Sequence, residues 1–311
     1  MNRREFVVGA YSATASTVLS KFTFSESSER RYTKSMLLSG IIPAITTPFY
    51  PDGQIYFKKL EHNVGRYSKT PVTGMVVLGS TGEASFLSDR EKLDVLKCAI
   101  DSAAAEKVMI AGVGSESAID TLRGCEHAAE AGYDVALVRT PFYYKGSMKP
   151  ANLLAYYRFV ADRSPLPVLL YNVPLFTQYD MPVELVVELS SHPNIIGLKE
   201  SSGSIEKVKA MVEGVKNVDR SATVTDRFEA VTGRMLKQAQ SARAGELVGV
   251  ESLAATAKSG SASVPSAKPS SSAVQVVGNL KTRQKKVGFQ IVVGAAHKLH
   301  PSLQAGAVGA V

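Results

Sequence analysis

Two segments decide the fold of this chain: Pro167-Val-Leu-Leu-Tyr171-Asn-Val-Pro174 and Asn194-Ile-Ile-Gly-Leu-Lys199-Glu-Ser-Ser-Gly203. Each contains a near-continuous apolar run and then ends in polar residues and a turn-forming Pro or Gly. An apolar run without polar alternation is typical of a strand that is buried on both faces, as in a parallel sheet covered by helices. The two segments therefore predict parallel strands that carry Tyr171 and Lys199 at their carboxyl ends.

The same pattern repeats along the chain from Gly40. Six strand candidates start about thirty residues apart with helical patterns between them, which is the spacing of βαβ units. The first strand leads into Thr46-Thr-Pro-Phe49, without the glycine fingerprint of a doubly wound dinucleotide fold. The sequence therefore predicts an α/β fold, a (β/α)8 TIM barrel. The strand candidates are Ile41–Thr46, Gly74–Leu78, Val108–Gly112, Asp134–Arg139, Pro167–Tyr171 and Ile195–Lys199, then Phe289–Val293 and the start of an eighth at Gly306–Val311.

Two segments lie outside this repeat. Residues 1–39 are interpreted either as a leader, because Arg3-Arg4-x-Phe6 resembles a twin-arginine export signal, or as a disordered N-terminus. The protein is accordingly expected to be exported or cytoplasmic. Residues 219–288 are expected to be an insertion between helix six and strand seven, with a helical stretch at about 226–256 and a Ser/Ala/Pro/Lys tract at 257–273. The barrel, 40–311, is expected to be C-terminally truncated in strand eight.

Charge and composition argue against several classes of protein. The net charge is +8, but residues 1–40 contribute +3 and residues 219–288 contribute +6, so the barrel segments are nearly neutral. Nucleic acid is therefore not an expected partner, because a protein that binds it carries Lys and Arg along a folded face. No run of about eighteen apolar residues occurs, so stable membrane insertion is not expected either. Cys98, Cys125 and the five histidines have no metal-ligand spacing, and we expect no metal site.

The strand ends carry the residues that are suited to chemistry. A lysine such as Lys199 can lie inside the barrel mouth, where loss of hydration lowers its pKa and leaves an amine that forms a Schiff base with a ketone. The alternative is a solvated lysine. Tyr171 and Tyr143 can relay protons or can simply pack as aromatic residues. The segment Gly79-Ser-Thr-Gly-Glu83 can wrap a carboxylate with backbone N–H groups or can form a plain turn. Taken singly, these residues leave the alternatives open.

Together, five motifs at the strand ends resemble the dihydrodipicolinate synthase / N-acetylneuraminate lyase family of class I pyruvate aldolases. They are Thr46-Thr-Pro-Phe49, Gly79-Ser-Thr-Gly-Glu83, Thr140-Pro-Phe-Tyr143-Tyr144, Tyr171-Asn-Val-Pro174 and Gly197-Leu-Lys199-Glu-Ser-Ser-Gly203. The resemblance covers about 40–218 and 287–311. It implies a TIM barrel, a small 2-oxo acid substrate derived from pyruvate, no cofactor and a homotetramer.

The resemblance also implies a role for each matching residue. Lys199 is the Schiff-base lysine, and Tyr171 is the proton donor and acceptor beside the imine. Ser80 and Tyr143 form a hydroxyl relay, and Tyr143 often reaches across a dimer interface in the family. The substrate-binding residues that follow from the resemblance are Ser80, Thr81, Gly82 and, at the position discussed next, Phe176.

One position departs from the pattern of the synthases proper. They carry Arg two residues after the Tyr-Asn-Val-Pro motif, where it holds the carboxylate of aspartate semialdehyde, and this chain has Phe176 there. The segments Tyr143-Tyr-Lys-Gly146 and Ser190-Ser-His-Pro-Asn194 are more similar to the 4-hydroxy-2-oxoglutarate aldolase branch. The sequence therefore favours a lyase of that kind, which cleaves or forms a C–C bond at a 2-oxo acid. The alternatives are 4-hydroxy-tetrahydrodipicolinate synthase and a catalytically dead barrel that binds a partner.

Overall fold

The apolar runs of the sequence form the eight parallel strands of a TIM barrel, as predicted. This computed structural model describes residues 35–244, 275–277 and 280–311. The twin-arginine pattern at Arg3–Phe6 and the tract 257–273 lie outside the described residues. The barrel strands are β1 (Gly40–Ile41), β2 (Gly74–Val77), β3 (Val108–Gly112), β4 (Val135–Arg139), β5 (Val168–Asn172), β6 (Ile195–Glu200), β10 (Gln290–Val293) and β11 (Gly309–Ala310). The helices between them are α1 (Phe57–Ser68), α2 (Asp89–Ser102), α3 (Ala118–Ala131), α4 (Pro150–Arg163), α5 (Pro174–Thr177), α6 (Val183–Ser190), α7 (Ile205–Val215) and, before β11, α9 (Leu299–Gln304).

Strand β1 is shorter than the predicted Ile41–Thr46. Pro43 has no N–H to donate, so regular pairing stops there. Its carbonyl still accepts a bond from the Val76 N–H at 2.9 Å, and the Ile45 N–H donates to the Val76 carbonyl at 2.9 Å. A single parallel bridge between Ala44 and Val76 therefore places β1 beside β2, while β1 pairs with β11 on its other side.

The packed part of the chain begins ahead of Gly40, the boundary that the sequence predicted for the barrel. Leu37 and Leu38 are buried. The buried Gln290 side chain holds this segment, since its Oε1 accepts from the Leu38 N–H at 2.8 Å and its Nε2 donates to the Met36 carbonyl at 2.7 Å. These two side-chain hydrogen bonds explain how a segment without strand periodicity packs against the barrel.

A register shift divides β6 into two parts. Val168 of β5 pairs with Ile195, whereas the next residue, Leu169, pairs with Gly197. Ile196 is therefore the extra residue of a β-bulge. A bulge interrupts the alternation of side chains between the two faces of a strand.

The bulge decides which way Lys199 points. Ile195 and Leu198 belong to the outer core between strands and helices, whereas Ile196 belongs to the core inside the barrel. Lys199 follows the outward Leu198 and therefore points inward. If side chains alternated strictly along the whole of β6, with no bulge, Lys199 would lie on the same outward face as Ile195.

The segment predicted as an insertion contains a small sheet that the sequence analysis did not anticipate. Strands β7 (Ser221–Thr225), β8 (Gln275–Val277) and β9 (Leu280–Lys286) pair antiparallel in the order β7-β9-β8, and helix α8 (Gly233–Ala244) replaces the predicted 226–256 stretch over the described residues. Three consecutive β-branched residues, Thr223, Val224 and Thr225, favour a strand at β7.

This segment contacts the N-terminal ends of the barrel strands. Asp134, just before β4, accepts from the Gly233 N–H at 3.2 Å and from the Met109 N–H at 2.9 Å. Arg220 donates to the carbonyls of His192 and Pro193 ahead of β6. The described part of 219–288 therefore lies at the end of the barrel opposite to the strand ends that carry the polar motifs.

Gly197→Ala is expected to destabilise the fold, because an added Cβ would lie 2.2 Å from the Gln290 carbonyl oxygen of the neighbouring strand. Backbone cannot yield as a side-chain tip does, so we expect a loss of about 1–3 kcal/mol in the free energy of unfolding. Urea denaturation measures it. The matched control is Gly65→Ala in α1, where a Cβ meets nothing within 4 Å and where Ala should stabilise by about 0.5–1 kcal/mol. Equal stability of the two variants would contradict the close approach of β6 and β10.

Candidate active site

Lys199 lies near the carboxyl end of β6, inside the mouth of the barrel. The residue is only 4% exposed. Its Nζ lies 4.4 Å from the centroid of the Tyr171 ring, and Tyr171 is its partner across the β5–β6 pair. In the described part of the chain Nζ makes no hydrogen bond, so burial removes water from the amine without supplying an acceptor.

The pKa of Lys199 reflects this burial. Desolvation disfavours the ammonium form and lowers the pKa of Lys199 from 10.5 to about 8. At neutral pH roughly a tenth of the amine is then unprotonated, against less than about a thousandth for a solvated lysine. Lys199 can therefore act as a nucleophile toward a carbonyl carbon.

Tyr171 places a protonated phenol beside this amine. Its hydroxyl lies 3.3 Å from the Ser80 Oγ. Burial raises the pKa of Tyr171, and hydrogen bonds with Ser80 and Ser201 oppose that rise in part. A phenol that stays protonated near a reacting carbon can donate a proton and take one back through the Ser80 hydroxyl.

Ser201 is a site residue to which the sequence analysis assigned no role. It follows β6 within the Gly197–Gly203 motif, and its N–H donates to the Asn172 carbonyl at 2.9 Å. Gly294 faces it closely, since a Cβ at Gly294 would lie 2.0 Å from the Ser201 Oγ and 3.2 Å from the Lys199 Cε. The glycine thus makes room for both side chains.

The segment predicted to wrap a carboxylate forms a tight turn at the end of β2. Residues Ser80–Gly82 make one turn of 3-10 helix, with Ser80 and Thr81 exposed and Gly82 buried. The Thr47 hydroxyl donates to the Gly82 carbonyl at 2.7 Å and fixes the turn. The first N–H groups of such a turn have no acceptor within it, so those of Ser80 and Thr81 suit an anionic group of a ligand.

The structure does not bring Tyr143 into this cluster. Tyr143 is 71% exposed, in the loop after β4, and its N–H donates to Glu116 at 2.9 Å. In the described residues of this single chain no hydrogen bond joins its hydroxyl to Ser80. The predicted Ser80–Tyr143 relay is thus not closed within one chain, because the loop holds Tyr143 out toward solvent.

Phe176 lies in the short helix α5 after β5 and is 61% exposed. The adjacent Leu175 is also exposed, and Gln178, which ends the helix, contacts the Lys145 side chain. The loop after β5 therefore presents an apolar side chain at the end of the barrel where the site lies.

Neither a metal-binding cluster nor a membrane-spanning helix is found in the described part of the chain. No group of three or more His, Cys, Asp or Glu residues there could hold a metal ion. No helix there is long and apolar enough to cross a membrane.

Comparison with known proteins agrees with the motifs. The model of the Dihydrodipicolinate synthetase family matches residues 37–238. This match covers more than half of the chain, contains all five motifs and starts at the packed segment ahead of Gly40.

Two curated relatives are both named 4-hydroxy-tetrahydrodipicolinate synthase. The protein from Methanosarcina mazei is 38% identical over 183 residues, which is 59% of this chain and 62% of that protein. The protein from Xanthomonas campestris is 40% identical over 210 residues, which is 68% of this chain and 66% of that protein. The chain thus spans less than two thirds of the length of either relative.

A solved structure supports the fold. The chloride-inhibited dihydrodipicolinate synthase from Acinetobacter baumannii, complexed with pyruvate, is similar with a TM-score of 0.63 and 25% identity. The similarity covers 88% of this chain and 70% of that chain. It confirms the predicted TIM barrel.

Lys199→Met is expected to stabilise the protein at neutral pH, because burial lowers the pKa of Lys199 to about 8. When the amine is protonated, this fall in pKa lowers the free energy of unfolding by about 3 kcal/mol, since each pKa unit corresponds to about 1.4 kcal/mol. The unfolded chain keeps the ordinary pKa, so it binds the proton more tightly. The gain on substitution should therefore be complete below about pH 8 and should vanish as the pH rises toward 10.5.

Urea denaturation over this pH range measures the effect, with Lys107→Met as the control. Lys107 is also buried, but its Nζ donates to the carbonyls of Thr70 and Val72 at 2.9 and 3.1 Å. Its removal should therefore destabilise the fold, by about 1–3 kcal/mol. A loss of stability in both variants would show that the Lys199 amine is not desolvated.

Proposed function

The chain belongs to the dihydrodipicolinate synthetase family, and on this premise we propose that it is a lyase that forms a Schiff base with a pyruvate-derived 2-oxo acid. The observation that carries the proposal is the buried Lys199 amine, which has a lowered pKa and lies over the Tyr171 ring. The complex of a similar synthase with pyruvate supports the choice of substrate class.

The chemistry uses groups that the chain supplies. The neutral Lys199 amine attacks the ketone carbon of the 2-oxo acid, and loss of water leaves an iminium ion. The iminium nitrogen takes up the electron pair that is released when the neighbouring C–C bond breaks or a proton leaves. Tyr171 donates or accepts the proton that each step requires, with Ser80 as its hydrogen-bond partner. No metal or organic cofactor takes part in the proposed reaction.

The turn after β2 holds the substrate in place. The N–H groups of Ser80 and Thr81, with the hydroxyl of Thr81, bind the carboxylate that every 2-oxo acid carries next to its ketone. Gly82 suits this tight turn because an added Cβ would lie 3.1 Å from the Ile45 carbonyl oxygen, so a side chain would push the backbone of the turn away from that carbonyl. Binding of the carboxylate in a fixed orientation holds the ketone carbon close to the Lys199 amine, so that the attack becomes effectively unimolecular.

For the second substrate, we take the synthase reaction as the first candidate. Both curated relatives described above are named 4-hydroxy-tetrahydrodipicolinate synthase, and the match to the family model, residues 37–238, includes the strands that carry Lys199 and Tyr171. The proposed reaction condenses the enamine of pyruvate with aspartate semialdehyde. The relatives support this reaction better than the aldolase branch that the sequence analysis favoured.

One observation keeps cleavage of a 4-hydroxy-2-oxo acid as the second candidate. Phe176 occupies the position at which, by the family resemblance, the synthases proper carry Arg. Its ring is 61% exposed and cannot form the paired hydrogen bonds that a guanidinium makes with a carboxylate. Cleavage needs only the imine, the turn after β2 and Tyr171.

The assembly and the location of the protein are further proposals. We propose a homotetramer in which Tyr143 of one protomer completes the hydroxyl relay at its neighbour, because the loop after β4 exposes this residue. We propose a small 2-oxo acid derived from pyruvate as the substrate partner, and no nucleic acid. Whether the protein acts in the cytoplasm or is exported depends on the twin-arginine pattern in residues 1–39.

Borohydride with pyruvate is expected to attach a reduced pyruvyl group to Lys199 and to no other lysine, as peptide mass mapping would show. Lys199→Ala should remove the adduct and all turnover. Tyr171→Phe should still form the adduct but should slow turnover roughly 10²- to 10⁴-fold, because it lacks the acidic proton. The buried Lys107 serves as the internal control. An adduct elsewhere, or none, would rule out the Schiff-base mechanism and leave the non-catalytic barrel.

Phe176→Arg is expected to raise kcat/KM for the condensation with aspartate semialdehyde roughly 10- to 100-fold, since a hydrogen bond to a charged group contributes about 1.5–3 kcal/mol. It should change the cleavage of a 4-hydroxy-2-oxoglutarate little. The control is Leu175→Arg, which adds the same charge at the adjacent exposed residue. Wild-type condensation faster than any cleavage would support the first candidate; faster cleavage would support the second. An equal rise in kcat/KM in both Arg variants would mean that the added positive charge, and not its place at residue 176, raises the rate of condensation.

A further inference from the structure

A buried carboxylate lies directly behind the proposed catalytic pair. Glu200 is 1% exposed and follows Lys199 on the opposite face of β6. Its two carboxylate oxygens accept from the Nδ2 of the fully buried Asn172 at 2.9 and 3.1 Å, and one accepts from the Ser202 N–H at 2.6 Å. Asn172 in turn follows Tyr171. The Asn172–Glu200 pair is thus the next rung of the same ladder beyond the Tyr171–Lys199 pair.

Two further residues close this pair into a ring. Asn172 Nδ2 also donates to Asp180 at 2.7 Å, and its Oδ1 accepts from the Met181 N–H at 3.0 Å. Lys207, near the start of α7, pairs with Asp180 and lies 3.7 Å from Glu200. The ring therefore joins the ends of β5 and β6 to the loop before α6 and to α7. It leaves the buried charge hydrogen-bonded, as a buried carboxylate requires.

The proposed chemistry does not use this ring. Glu200 points away from the barrel interior, and burial alone accounts for the lowered pKa of Lys199. A buried ion pair is weak support for stability in general, because the loss of hydration offsets much of the attraction. What the ring fixes is the relative position of the carboxyl ends of β5 and β6. Asn172 and Glu200 bond to each other, and the loop before α6 and helix α7 hold them from outside the sheet.

We infer that Glu200 and Asn172 are positioning residues that hold the Lys199 amine against the Tyr171 ring in the geometry needed for imine formation. This inference rests on the proposed Schiff-base function and deepens it. A displacement of about 1 Å in a reacting group can cost about 10²-fold in rate. Disruption of the ring is therefore expected to slow imine formation even in protein that is still fully folded.

The test measures the rate of borohydride-trapped imine formation with pyruvate as a function of pyruvate concentration. Glu200→Gln keeps the shape and can still accept from Asn172, so we expect the maximal rate to fall roughly 3- to 10-fold. Glu200→Ala removes the contact, and we expect a fall of roughly 10- to 100-fold. The half-saturating pyruvate concentration should change less than about threefold, because the turn at Ser80–Gly82 is untouched.

The matched control is Asn194→Ala, at the other end of the same strand. The Asn194 side chain is buried and donates to the carbonyls of Ala161, Ser164 and Leu166, so its loss should lower stability as well. At a temperature where both variants are folded, only the Glu200 variants should trap slowly. If Glu200→Ala fails to fold, Glu200→Gln and Lys207→Met, which removes only the cation of the ring, give the same comparison.

Each outcome has one meaning. Slow trapping in the Glu200 variants with normal trapping in Asn194→Ala supports the inference. Normal trapping in the Glu200 variants, or equally slow trapping in Asn194→Ala, overturns it and leaves the ring as a structural feature only. No trapping in the wild-type protein would instead overturn the proposed function.

Discussion

The withdrawal of the Lys199 amine from water is the constraint on which the rest of the site depends. A solvated lysine at this position would be protonated at neutral pH and unreactive toward a ketone. The bulge in β6 turns the side chain inward. Gly294, at the end of the neighbouring strand, leaves room for it, since a Cβ there would lie 3.2 Å from the Lys199 Cε. The burial of apolar side chains inside the barrel and between strands and helices stabilises the fold and offsets the free energy of desolvating this amine.

The two ends of the barrel have separate tasks. At the N-terminal ends of the strands, buried polar groups such as Asp134, Lys107 and Gln290 bond to backbone and hold segments together. At the carboxyl ends, the Lys199 amine has no hydrogen bond in the described residues, and Tyr171 bonds to other hydroxyls. This division is general for TIM barrels, where stability residues and reacting residues occupy opposite faces. It also explains how the β7–β9 sheet can attach to one face without touching the described site.

Much of the site was predictable because it follows the period of the fold. Apolar runs about thirty residues apart predict the barrel, and the polar residue after each run predicts its mouth. Lys199 and Tyr171 were placed at the mouth in this way, and the family resemblance supplied their predicted roles. The bulge at Ile196 was not, because a strand that is apolar on both faces carries no signal of which residue points inward.

Other features depend on partners that are distant in sequence. The ring around Glu200 needs Asp180 and Lys207, which come from a loop and a helix, and no spacing rule connects them. Tyr143 has the motif of a site residue, yet its loop exposes it in the single chain. The packing of residues just ahead of Gly40 gave no signal in the sequence, because the Gln290 amide, and not a strand pattern, bonds to the backbone of Met36 and Leu38.

The most direct test of this account is a titration of the Lys199 amine itself. The carbon-13 resonance of its Cε, assigned by its loss in Lys199→Arg, can be followed from about pH 6 to about pH 11 in protein labelled at lysine. Because burial lowers the pKa of Lys199 to about 8, the midpoint should lie there, well below that of the exposed lysines. A midpoint near the ordinary value of 10.5 would mean that the amine is solvated, and the proposed nucleophile would be lost.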